Sequence, residues 1–166
     1  MKLLKFIAGY IKTQIETTIH KGRVLLNIIK LINKIDPPDK RKLYWRGLKH
    51  DFSKYGWFEA RHYAWIIFNL KGSTFGTEDY KKRLEGIQPA VKHHYKNNSH
   101  HPEYYKNGIS DMSENDKLEM VCDWCAAVKR HKDGDIFKSI DINQKRFGYD
   151  DEIKKWLIFM AKKINS

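Results

Sequence analysis

The chain of 166 residues contains only two cysteines, Cys122 and Cys125. Two thiols cannot form a disulfide framework, and so few of them fit a reducing, cytoplasmic setting. Four prolines and ten glycines are too few for a collagen-like or low-complexity protein. No apolar run approaches the ~20 residues that cross a bilayer. Lys5 and Lys12 break the apolar N-terminal stretch and no small-residue cleavage site follows it. That stretch therefore reads as a structural helix rather than a targeting segment, and no membrane partner is expected. Alternating strand patterns, hairpin turns, internal repeats and Gly/Ser linkers are also missing. Acidic residues are in deficit, 20 against 32 lysines and arginines, which leaves a formal charge of +12. Such a charge favours anionic partners: a small-molecule substrate such as a nucleotide, or nucleic acid.

What remains is helical periodicity. Leu4, Ile11, Ile15, Leu25, Ile29 and Ile32 recur at multiples of the helical repeat, and Val24, Ile28 and Leu31 widen the apolar face. Gly22 offers a bend, and Pro37-Pro38 ends the helix. A second helix is expected through KLYWRGLKHD and a third through WFEARHYAWIIFNL to about Lys71-Gly72. A fourth is expected from Glu78 to Asn97. Ser113 is a good N-cap for a fifth. The last, DDEIKKWLIFMAKKI, carries acids first and lysines last, as the helix dipole favours. The expectation is one compact all-α domain of about six helices over residues 1–166.

Four of the eight histidines, His93, His94, His100 and His101, fall within nine residues beside a helix end. Imidazole is the commonest neutral nitrogen ligand for divalent metals. His50 and Asp51 are adjacent where the second helix ends. Both side chains reach one ion only if the backbone there leaves regular geometry or the two wrap around it. Asp123 is flanked by Met120, Val121, Cys122, Trp124, Cys125, Ala126 and Ala127. An ionised carboxylate in such surroundings costs several kcal/mol, about the scale of an unpaired buried charge, unless a cation or a salt bridge meets it. His20 shares a face with Val24, Asn27 and Leu31. Cys122 and Cys125 have C-x-x-C spacing but no second pair, so they read as small core residues.

The order His20, His50-Asp51, the His93–His101 cluster and Asp123 resembles the HD-domain superfamily of metal-dependent phosphohydrolases. IHKGRVLLNIIKLI is similar to that family's first-histidine helix, LKHDFSKYG to its His-Asp-x-x-Lys segment and EMVCDWCAA to its last-aspartate helix. The resemblance covers about residues 15–130, and HHYKNNSHHPEYY is similar to an uncharacterised HD-like subfamily of bacterial and viral genomes. It implies an HD-like fold and a divalent metal (Mn, Mg, Co, Ni, Zn or Fe; one or two ions) held by His20, His50, Asp51 and Asp123. His94, His100 and His101 are candidates for a second ion, with His94 favoured over its neighbour His93 as the inward residue. The Gly-Tyr-Pro signature of the two-metal signalling phosphodiesterases is absent.

In that reading the metal activates water against a nucleotide or another small phosphate ester. Asp51 and Lys54 act at the reacting phosphate, and Lys54, Arg23, Arg46 and Tyr104 contact the substrate. Two alternatives stand beside it. One is an HD-fold di-iron oxygenase. The other is a non-catalytic basic protein that binds nucleic acid through patches such as 39–42, 81–83 and 129–130.

Overall fold

The computed structural model describes residues 2–69, 78, 82, 85–130 and 134–166. Among these residues there is no strand. Seven α-helices are present: α1 Lys2–Ile35, α2 Lys40–Lys49, α3 Trp57–Asn69, α4 Gln88–Asn97, α5 Glu114–Val128, α6 Ile136–Phe147 and α7 Asp151–Asn165. Short 3-10 turns cover Phe52–Tyr55, Pro102–Tyr104 and Gly108–Asp111. The all-α expectation holds. The expected third-helix end at Lys71-Gly72 and residues 79–81 and 83–84 of the expected fourth helix lie outside the described residues, Lys81 and Arg83 among them.

Contacts divide the chain into two compact units, residues 1–19 with 51–98, and residues 20–50 with 99–166. Neither unit is continuous in sequence. The divisions fall inside α1, between His50 and Asp51, and between Asn98 and Ser99, so no linker marks them.

The second unit holds the large aliphatic core. Val24, Ile28, Leu31, Leu43, Leu118, Val121, Ile140, Leu157 and Ile164 are all fully buried within it. Helix α5 packs on α2, α6 and α7. Its start is fixed by a capping box. The Ser113 hydroxyl accepts from the Asp116 amide, and the Asp116 carboxylate accepts from the Ser113 amide. Helix α6 was not anticipated from the sequence, although its signals are present. Asp135 caps its first turn, Ile136 and Ile140 are buried one turn apart, and Gly148 closes it in the left-handed conformation.

The first unit is built differently. Its buried side chains are small or polar: Ala60, Ala64, Ala90, Thr13, Thr17, Glu59 and His94, with Ile66 the one large aliphatic among the described core residues. Here the expected face of α1 is overturned. Leu4, Ile11 and Ile15 are exposed, and Gly9, Thr13 and Thr17 are buried instead. The inward line runs on through His20, Val24, Asn27, Ile28 and Leu31 at helical spacing. The helix stays unbroken past Gly22.

Candidate metal centre

Three helices of the second unit bring His20, His50 and Asp123 together. His20 lies on α1, His50 caps the C-terminal end of α2, and Asp123 lies in the middle of α5. The Asn27 amide, two turns past His20, donates to the Cys122 carbonyl at 3.0 Å, which fixes the register of α1 against α5 beside the site. His20 Nε2 stands 2.7 Å from Asp123 Oδ1. His50 Nε2 stands 3.7 Å from the same oxygen. One ligand atom from each of the three residues lies within 4.8 Å of the others. Both imidazoles are buried, and the Asp123 side chain is only 13% exposed.

Asp123 answers the cost of a buried carboxylate with imidazoles. Burial pushes its carboxyl up, but the His20 hydrogen bond and the electrostatic influence of the His50 and His100 imidazoles outweigh this and hold it well below the usual carboxylate range. The guanidinium that could have neutralised it is placed elsewhere. Arg46 reaches Asp116 at 2.6 Å and Glu119 at 2.7 Å. Arg46 is thus engaged by two carboxylates, where the sequence reading had it meet a phosphate.

Glu119 was missed by the sequence reading. His50 Nδ1 donates to Glu119 Oε1 at 2.8 Å. A carboxylate only accepts, so this bond fixes the proton on Nδ1 and leaves Nε2 as the ligating nitrogen on the Asp123 side. His100 Nδ1 approaches the same Glu119 oxygen at 3.3 Å, and the His100 ring lies 4.3 Å from that of His50. His50, His100 and Glu119 form a second set with ligand-like spacing. The His101 ring lies tilted beside that of His100, with centroids 4.1 Å apart, and His101 is half-buried. The signal for Glu119 was the one used for Asp123, a carboxylate in an apolar helical run. Asp116, Glu119 and Asp123 also recur at three and four residues, along one line of α5.

Asp51 belongs to the first unit. It takes φ +56°, a left-handed conformation rare for a residue with a side chain. This is the departure from regular geometry that the adjacent His50-Asp51 pair called for. His94 Nε2 donates to Asp51 Oδ1 at 3.2 Å, and Lys54 Nζ donates to Asp51 Oδ2 at 2.5 Å. On its other side His94 Nδ1 lies 3.1 Å from Glu59 Oε2, and His93 Nδ1 donates to Glu59 Oε1 at 2.7 Å. His94 is the buried member of the adjacent pair, and His93 is 43% exposed. Burial lowers the His94 imidazole's affinity for a proton, but hydrogen bonds to Asp51 and Glu59 outweigh it and leave the pKa raised. Glu59, fully buried, is the second residue the sequence reading missed.

Of the other expected contacts, Arg23 is half-buried on α1, and Tyr104 is exposed in a 3-10 turn against Tyr105. Cys122 and Cys125 are core residues. Burial pushes the Cys125 thiol up to about 12 and raises that of Cys122 well above its ordinary value, which keeps both protonated and poor as ligands.

The donor set of His20, His50 and Asp123 fits a divalent ion. It offers neutral nitrogens and one carboxylate oxygen, buried, with the tautomer of one imidazole fixed by a carboxylate behind it.

Residues 10–165 match the model of a family of unknown function, DUF5662, and the chain belongs to that family. No curated protein and no solved structure matches it.

Proposed function

We propose that the protein is a metal-dependent phosphohydrolase acting on a nucleotide or another small phosphate ester. The observation that carries this reading is the convergence of His20, His50 and Asp123 from three helices onto one buried point. A divalent ion held by these residues supplies Lewis acidity toward water and toward a phosphoryl oxygen. Glu119 keeps the Nδ1 proton on His50 and so presents Nε2. Arg46 in turn balances the charge of Glu119 and Asp116. Asp51 and Lys54 form a carboxylate–ammonium pair in which the lysine is 21% exposed and able to meet an anionic oxygen. The formal charge of +12 raises the local concentration of anionic substrate.

The test joins elemental analysis of the purified protein with hydrolysis of bis(p-nitrophenyl) phosphate and a panel of nucleotides under Mn, Mg, Co, Ni, Zn or Fe. Alanine at His50 or Asp123 is expected to abolish metal-dependent product release. Retained activity in Asp51→Ala rules out the role given to that carboxylate. Two irons per chain with a mixed-valent resonance signal, and no hydrolysis, would replace this reading with oxygen chemistry. Salt-sensitive nucleic-acid binding that survives metal removal would replace it with a binding role.

A further inference from the structure

The first half of α1 faces solvent with its largest side chains. Leu3, Leu4, Ile7, Ile11, Ile15 and Ile19 are each between 45% and 73% exposed. At about 100° per residue, Leu4 and Ile11 project almost opposite Thr13 and Gly9, which are buried. The helix turns glycine and threonine inward and a continuous line of leucine and isoleucine outward. A single exposed aliphatic residue needs no explanation, but a row of six along one helix marks a surface that is covered in use.

The charges beside the row indicate what covers it. Lys5 and Lys12 are exposed along one flank, and Glu16 is the acidic residue of this stretch, pairing with Lys12 at 3.7 Å. Two chains that each carry +12 repel one another, which disfavours a second copy as the occupant. An apolar helical stripe flanked by lysine complements an anionic lipid surface.

We propose that α1 docks the protein on the surface of an anionic membrane, with the Leu4–Ile19 row seated at the headgroup–acyl boundary and the flanking lysines on lipid phosphates. The absence of a helix long and apolar enough to cross a membrane leaves surface docking open. This inference is independent of the metal chemistry.

The experiment is flotation of the full-length protein with vesicles of phosphatidylcholine mixed with phosphatidylglycerol, against vesicles of phosphatidylcholine alone. The protein is expected to float with the anionic vesicles and not with the neutral ones. The double variant Ile11→Glu, Ile15→Glu should weaken that binding at least about tenfold, given the apolar area each isoleucine buries. Lys5→Glu with Lys12→Glu should weaken it and reduce its salt sensitivity. All these positions are exposed, so the variants should retain the wild-type circular dichroism and melting temperature. Three results each overturn the proposal: no flotation with either vesicle, equal flotation with both, or flotation unchanged in the isoleucine double variant. A wild-type dimer by sedimentation that this double variant splits into monomers also overturns it, in favour of a second copy.

Discussion

His50 donates its Nδ1 proton to Glu119 at 2.8 Å and thereby turns Nε2 toward Asp123. The two residues come from α2 and α5 and lie 69 positions apart. A ring held at one nitrogen can present only the other. Carboxylates in this position raise the basicity of a ligating imidazole, and their loss costs about 10–100-fold in metal affinity. Glu119→Gln keeps the size of the side chain and loses the charge. Metal titration by calorimetry should show that drop, with the melting temperature of the metal-free protein changed far less than in Glu119→Ala. Unchanged affinity in Glu119→Gln would show that Glu119 does not position His50.

Asp116 sets a pH dependence away from the metal ligands. Burial raises its carboxyl, but hydrogen bonds from Ser113, Ser99 and Tyr105 and the Arg46 charge outweigh burial and hold it below the usual carboxylate range. A carboxyl depressed in the folded state stabilises the fold above its unfolded pKa of about 3.9, and that contribution is lost as pH falls through the lower folded value. Asp116→Asn should therefore cost about 1–3 kcal/mol at pH 7. The gap to wild type should close as pH falls below about 4. Urea denaturation at several pH values measures it, and a gap that stays constant down to pH 3 would remove the assigned role.

Much of the second unit was legible because its signals are local. Ser113 before an acidic turn, the lysines closing α7 and the apolar run around Asp123 all act within a few residues. Asp123 drew attention because an unpaired carboxylate is costly among Met120, Val121 and Cys122, and it meets imidazoles as that cost requires. Glu119 and Glu59 escaped notice although the same argument applies to them. Glu119 lies one turn from Asp123, which already accounted for the apolar run. The inward face of α1 was misread for a different reason. Periodicity shows that a helix has two faces, and hydrophobicity normally decides which one is buried. In the first unit α1 buries Gly9, Thr13 and Thr17, so its small and polar positions face inward and its leucines and isoleucines do not. The division between His50 and Asp51 had no signal at all, because it depends on contacts distant in sequence.

Asp51 carries a backbone cost that can be measured. Its φ of +56° disfavours any residue with a β-carbon, and asparagine tolerates it best after glycine. Asp51→Asn should retain the turn, while Asp51→Val should lose about 1–2 kcal/mol more than Asp51→Asn from backbone strain alone. Asp51→Asn is therefore the cleaner variant for separating the role of the carboxylate from that of the turn. Equal melting temperatures for the asparagine and valine proteins would contradict the left-handed assignment.

Metal binding at His20, His50 and Asp123 should appear as stability before any substrate is known. A ligand that binds the folded state alone stabilises it by RT ln(1 + [L]/Kd), about 2.7 kcal/mol at a hundred times Kd. His20 Nε2 and Asp123 face one another in the metal-free state, protons compete with the ion for these same ligand atoms, and the effect should weaken in acid. Thermal unfolding with and without added Mn, Co, Ni or Zn should show a rise in melting temperature in the wild-type chain. Asp123→Asn preserves the volume of the side chain and one hydrogen-bonding oxygen, yet it should lose most of the rise. His62→Ala, an exchange at a histidine whose Nδ1 donates to the Phe58 carbonyl of its own helix, should keep it. A rise of equal size in the Asp123→Asn protein would place the ion elsewhere and leave the three convergent side chains as a structural cluster.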